Sequence, residues 1–294
     1  MGREVETLLV TGSSGRIGAA ICAAAAARFK VIGVDRIPGD RTDEILDLTE
    51  DFEFLGGPVD AVAHAAGLHA PHVGLVPDDL FRRVNVAATE RLALAAKAAA
   101  GASCFVFTST TALYGVRPAG MVQTQWIDEE TPPRTRTIYH HTKLEAEARL
   151  RLLTGPIFRV TMLRLERCFP EPADLMALYH LHRGVDAHDS ASAHLAALER
   201  EGEDCETFIV SGTTPFERRD CAELARNAPR VLARRCPELV SAFERNGWSL
   251  PGSIDRVYDN ARARARLGWQ PEYGCMSVLE ELCEGAPTVL APCV

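Results

Sequence analysis

Leu8-Leu9-Val10-Thr11-Gly12-Ser13-Ser14-Gly15-Arg16-Ile17-Gly18 is an apolar run that passes straight into glycines at 12, 15 and 18 and then into an alanine-rich stretch, Ile17 to Phe29. Read as strand, loop and helix, it is the opening of a dinucleotide-binding βαβ unit. The glycines permit a tight turn, close approach of the backbone to a pyrophosphate, and close packing of helix on strand. The anion then meets free N–H groups at the positive end of the helix. Glycine spacing alone also fits an ordinary structural turn. The context decides: a second strand pattern, Val31 to Val34, ends on Asp35, an acidic residue about 20 positions on, where a ribose diol is expected.

Outward from this unit, strand-like and helix-like patterns alternate through the first half, the signature of a parallel sheet covered on both faces. Strands are expected near 6–11, 31–35, 44–47, 59–64, 103–108 and 157–164, and helices near 16–29, 79–100 (stopping at Gly101) and 139–153. The segment RLERCFPEPADL, from Arg164, has two prolines within three residues. It cannot continue a strand and is expected to leave the sheet and cover the site. Residues 186–200 read as helix and 207–210 as strand, and proline-broken helical pieces follow Gly212. The expected architecture is α/β, a doubly wound parallel sheet (Rossmann fold) with a small, mainly helical C-terminal cap. The nucleotide domain spans 1–165, with 186–213 returning to it, and the substrate-binding cap takes most of 166–294.

Composition narrows the function classes. A formal net charge of −8 argues against general affinity for nucleic acid or anionic membranes. The nine cysteines are never spaced C-x2-C, which speaks against a disulfide framework or a zinc site and fits a reducing, cytoplasmic setting. MGREVETLLV runs directly into the first strand, so neither a signal peptide nor, without Ser or Thr at position 6, a myristoylation site is expected. The small-apolar run Ile17 to Ala27 is too short to span a bilayer. Histidines 64, 69, 72, 180 and 182 have no acidic or thiolate partner at matching spacing, so no metal is expected.

Two further stretches carry chemistry. In Tyr139-His140-His141-Thr142-Lys143 the phenol and the ammonium are four residues apart and share one helix face, from which His140 and His141 should turn away. A phenol of pKa about 10 becomes a base near neutrality only if about 4 kcal/mol favours its anion. A cation about 4 Å away supplies about that much at an effective dielectric of about 20, and an oxidised nicotinamide adds more positive charge. Phe105 to Thr111 ends an apolar strand on hydroxyls, at the strand end beyond which open parallel sheets bind ligands.

These stretches, in this order, resemble the extended branch of the short-chain dehydrogenase/reductase superfamily, which holds sugar epimerases, dehydratases and dehydrogenases. Thr11 to Gly18 resembles its TGxxGxxG, Asp47-Leu48 its adenine-contacting pair, and His64-Ala65-Ala66-Gly67 the motif closing the fourth strand. Asn85 is similar to the asparagine of the following helix, and Ser109 to Gly115 to its SSxxxYG, placing Thr110 at the catalytic Ser/Thr position. The resemblance implies that Tyr139 removes a carbinol proton as hydride passes to a nicotinamide, that Thr110 binds the substrate oxygen, and that Lys143 also holds the nicotinamide ribose. It further implies cofactor contacts from Gly12, Ser14, Gly15, Arg16, Ile17, Gly18, Asp35, Arg36, Asp47, Leu48, Ala65, Ala66, Gly67 and Asn85. Asp35 accepts from ribose hydroxyls and repels a 2′-phosphate, so NAD is expected over NADP.

For the substrate, a sugar-type small molecule, the resemblance points to His69, Thr111, Arg167 and Arg256. Leu163 to Pro170 is similar to a segment LRxxNVYGP, with Arg167 in place of the asparagine. Arg167 suits a phosphate or a carboxylate, and equally an ion pair with Glu166, Glu171 or Asp174. Arg256 suits a substrate phosphate or a surface pair with Asp255 or Asp259. His69 stands where many epimerases carry a lysine. The CFPEP run resembles uronate dehydrogenases. A nucleotide-sugar epimerase is therefore the first reading, and a net dehydrogenase or reductase of a free sugar, uronic acid or other carbonyl compound the second. A silent dinucleotide-sensing protein is disfavoured by three chemically competent side chains. The family also implies a homodimer through the helices near 79–100 and 139–153.

Overall fold

The computed structural model describes residues 6–50, 58–98, 102–116 and 120–285. Its strands are β1 (Thr7–Thr11), β2 (Lys30–Asp35), β3 (Glu44–Ile45), β4 (Ala61–His64), β5 (Cys104–Thr110), β6 (Gln125–Ile127), β7 (Arg159–Leu165), β8 (Cys205–Val210) and β9 (Arg256–Tyr258). Seven of them form one parallel sheet in the order β3-β2-β1-β4-β5-β7-β8. Strand order reverses beside β1, which opens a crevice at the carboxyl ends of β1 and β4.

Period-two alternation sorts the central strands onto two cores. Leu8, Val10, Ala61, Ala63, Val106 and Leu163 pack with Ile21 and Ala25 of helix Arg16–Ala25 and with Ala191 and Leu195 of helix Ala187–Glu199. Leu9, Val62, Phe105, Phe107, Val160 and Met162 pack on the other face with Leu92 and Ala96 of helix Ala88–Ala98 and with Ala146 and Leu150 of helix Ile138–Arg151. A run apolar at every position is what a strand covered on both faces requires.

Several boundaries differ from expectation. The first helix ends at Ala25 because Arg28 and Phe29 turn back to bond the Ala25 carbonyl. The long second helix comprises Asp78–Arg82, a π-helical turn Arg83–Ala87 and Ala88–Ala98; its expected stop at Gly101 lies outside the described residues, as do residues 1–5 of the start. After β7 the prolines do not only lead the chain out: Pro172 starts an unforeseen helix, Ala173–His180, which belongs to a second core with Leu224, Val231, Phe243 and Val257. The division at 165/166 is crossed in both directions. β8 lies in the main sheet, while β6 pairs with β9 in a small parallel sheet beneath the cap.

Candidate functional site

At the carboxyl ends of β1, β4, β5 and β7 lies a cavity of about 1030 Å³, lined at one end by the glycine loop and at the other by residues after β7 and in β9. Gly12 has φ +76°, and a Cβ built on Gly18 would stand 2.0 Å from the Gly12 carbonyl oxygen. A Cβ on Gly12 would stand 2.7 Å from the Ala66 nitrogen. The loop closes only with glycine at these places, and it brings bare backbone to the mouth of helix Arg16–Ala25, whose Gly15 cap contributes no side-chain bond. Arg16 lines the cavity, and its buried Nε has no hydrogen-bond partner among the described residues. Asp35 accepts from the N–H groups of Ser14 (3.1 Å) and Ile37 (3.3 Å) at the cavity's edge, next to Arg36. Asp47 and Leu48 also line it. The Thr49 N–H and hydroxyl (2.8 and 2.7 Å) hold the Asp47 carboxyl below the usual range. This backbone cradle with a nearby carboxylate fits a dinucleotide.

Ile17, Ala65, Ala66 and Gly67 join that lining, but Ser14 and Asn85 do not. The Ser14 hydroxyl donates to the Ile37 carbonyl (2.8 Å) and meets Thr42. Asn85 is buried in the π-helical turn, where it accepts from Leu68 N–H (2.8 Å) and donates to Leu68 O (2.9 Å) and Thr142 Oγ1 (3.2 Å). It therefore clasps the loop after β4 to helix Ile138–Arg151. Its amide is spent on that clasp and is not offered to the cavity.

The reactive groups meet beyond β5. Thr137 caps helix Ile138–Arg151, accepting from His140 N–H. The buried face Tyr139, Thr142, Lys143, Ala146, Glu147 and Leu150 follows helical spacing. Tyr139 and Thr110 both line the cavity, and burial holds the Tyr139 phenol above its usual pKa against a smaller opposing pull from Thr110. Lys143 Nζ donates to the Thr108 carbonyl (2.8 Å). Burial pulls this ammonium down to about 8 against the opposing pull of Glu147. The ammonium is thus anchored on the Thr108 carbonyl, on the same buried helix face as Tyr139. Beneath them, Glu147 takes Ser109 Oγ (2.6 Å) and both Nε and Nη2 of Arg164 (3.0 and 2.7 Å), while Arg164 also donates to the Tyr114 hydroxyl (2.8 Å).

At the far end, Thr111, His69, Arg167 and Arg256 all line the cavity. Thr111 Oγ1 donates to the Leu165 carbonyl (3.3 Å). The His69 ring stacks on Phe169 (centroids 5.5 Å apart), and burial lowers its pKa. Arg167 pairs with Glu171 and lies over the rings of Phe169 and Tyr179. Of the three partners and two anions open to it in sequence, the fold has chosen Glu171. Arg256 binds Asp255 Oδ2 (Nε 2.9 Å, Nη2 2.8 Å), the Gly115 carbonyl and the Tyr258 hydroxyl.

Sequence reasoning missed Glu166, Arg183, Asp255 and Tyr258 of this lining, which lie on separate loops and a short strand with no shared spacing. It also turned His140 away. The half-buried His140 lines the cavity, with its ring 5.9 Å from that of Tyr139, because the first turn of its helix forms the cavity's rim.

Residues 8–170 match the NAD-dependent epimerase/dehydratase family. The chain belongs to this family. It is an NAD-dependent enzyme. Among solved structures it is similar to a short-chain dehydrogenase/reductase superfamily protein from Agrobacterium tumefaciens with bound NAD, at 21% identity and TM-score 0.70, over 95% of this chain and 96% of that one. It is also similar to the Thermus thermophilus UDP-glucose 4-epimerase in complex with NAD (21%, TM-score 0.66, 95% and 99% covered). A third is the Bacillus cereus UDP-glucuronic acid 4-epimerase with NAD (18%, TM-score 0.64, 97% and 100% covered). No curated protein matches the chain in sequence. In this chain Tyr139, Thr110 and Lys143 share the cavity lining, and Arg167 is paired with Glu171 in the segment after β7.

Proposed function

We propose that this enzyme is a nucleotide-sugar epimerase acting at a secondary hydroxyl of the sugar ring. The observation that supports the reading is the buried Tyr139 phenol lining, together with Thr110 and Lys143, a cavity that runs from the glycine loop to Arg183 and Arg256. Thr110 orients the substrate oxygen, Tyr139 takes and returns the carbinol proton, and Lys143, fixed on Thr108, supplies a buried positive charge behind them. Bound NAD supplies the hydride acceptor and donor, and Gly12, Gly15, Gly18 and Asp35 would hold its pyrophosphate and ribose. That two structural neighbours are named UDP-sugar 4-epimerases agrees with this reading. The Arg167–Glu171 pair withdraws the support that either reading drew from Arg167 as a free clamp for a substrate phosphate or carboxylate. We also propose a homodimer through the outward faces of the helices over 78–98 and 138–151, which light scattering of the purified protein would read as twice the chain mass.

The deciding experiment offers UDP-sugars and free uronic acids to the NAD-loaded protein. An epimeric UDP-sugar formed without net NADH is the expected result. NADH accumulating in step with oxidation of a free acid would replace the epimerase by the dehydrogenase.

A further inference from the structure

Glu166 is the first residue past β7, where its N–H bonds the Val210 carbonyl (3.1 Å). The residue is 5% exposed and lines the cavity. Both of its carboxyl oxygens are buried, and neither has a hydrogen-bond partner among the described residues. Such a group is costly to keep inside a protein unless something else satisfies it. The nearby cations do not: Arg183 and Arg256 influence Glu166 electrostatically, but both guanidinium groups are directed at Asp255 (3.8 and 2.8 Å). Burial holds the carboxyl well above the usual range.

Position then limits the partner. Thr110 and Leu165 are direct neighbours in the β5–β7 ladder, so Glu166 stands one residue beyond the level of the catalytic hydroxyl, beside the reacting ring and away from the glycine loop. Two arginines nearby disfavour a cationic substrate group. An anionic group would meet arginines already paired with Asp255 and an unpartnered acidic side chain. A hydroxyl, which both donates and accepts, suits a carboxyl in either protonation state. We propose that Glu166 is a specificity-determining residue that hydrogen-bonds an uncharged hydroxyl of the reacting sugar ring. This inference rests on the epimerase reading for the identity of the ring.

The test titrates UDP-glucose, UDP-galactose and their monodeoxy analogues calorimetrically into NAD-loaded protein, with steady-state assays in parallel, for the parent chain, Glu166→Ala and Glu166→Gln. In the parent, loss of one particular hydroxyl should weaken binding by about 10-fold to 100-fold. Glu166→Ala should bind the complete sugar more weakly by a similar factor and become indifferent to that hydroxyl. Glu166→Gln, which keeps a donor and an acceptor in the same shape, should restore most of the affinity. NAD affinity and the thermal midpoint should hold in both variants, since the side chain has no hydrogen-bond partner among the described residues. Unchanged affinity and unchanged discrimination in Glu166→Ala overturn the proposal, as does a lowered midpoint with discrimination intact, the mark of a structural residue. Failure of Glu166→Gln to rescue while NAD still binds also overturns it. Parent protein that binds and discriminates the sugars without interconverting them would sink the epimerase reading and leave the Glu166 contact standing. A parent that binds none of them ends both.

Discussion

At the scale of single residues, the site is defined by how burial and partners divide the work. The Tyr139 phenol is buried in the cavity lining, and that burial holds it above its usual pKa. Tyr139→Phe should keep the fold and NAD affinity yet lose at least about two orders of magnitude in turnover, the usual scale for a positioned acid–base group. Normal turnover by that variant on the true substrate would remove Tyr139 from the chemistry. Asp35 presents a carboxylate at the ribose end of the cradle. NAD should therefore bind much more tightly than NADP, and Asp35→Asn should narrow the gap in calorimetric titrations with both. Equal affinities in the parent would refute this role for Asp35.

At the scale of elements, helix Ile138–Arg151 is pinned to β5 and β7 by one buried carboxylate. Glu147 joins Ser109 of β5 to Arg164 of β7, and its pair with Arg164 is only 7% and 2% exposed at the two side chains. Removing one partner leaves the other charge buried and unpaired, which costs about 3–5 kcal/mol. Glu147→Ala should accordingly lower the unfolding free energy measured by urea titration by that much, and turnover should fall because Tyr139 and Lys143 ride on the same helix. An unfolding free energy within about 1 kcal/mol of the parent's would show that the network holds nothing in place. The π-helical turn works similarly from the other side: it swings Asn85 onto both backbone groups of Leu68 and so fixes the loop that follows β4.

At the scale of the whole molecule, three buried histidines tie stability to pH. His64 sits between Thr11 and Thr89, His194 between Thr108 and the Ser190 carbonyl, and His182 against the Arg256 carbonyl. Burial pulls them down to about 3, about 4 and about 3 respectively. Each stays neutral in the folded chain, while the unfolded chain takes up protons near pH 6.5. The sign follows: their contribution is complete above about pH 6.5 and is lost progressively as pH falls toward about 4. The thermal midpoint should drop across that interval, and His194→Gln should flatten the drop. A midpoint independent of pH from 6.5 to 4 would contradict these assignments. Because His64 and His194 reach strands of the main sheet and His182 reaches β9, acid loosens the sheet and its junction with the cap together.

What the sequence determined by itself is whatever short-range sterics and periodicity impose. Glycines at 12, 15 and 18 are required within a few residues of one another, Leu8 and Val10 face one core and Leu9 the other by simple alternation, and Tyr139 and Lys143 share a face by helical spacing. The tertiary structure alone decided matters that turn on which distant groups meet. β6 and β9, three residues each, are too short to show a pattern and exist only because they find one another. The retreat of Asn85 from the cavity follows from its bonds to Leu68 and Thr142, and the isolation of the Glu166 carboxyl from segments distant in sequence that meet around it. Local geometry is written into neighbouring residues, whereas the pairing or desolvation of a charge depends on everything that the fold brings around it.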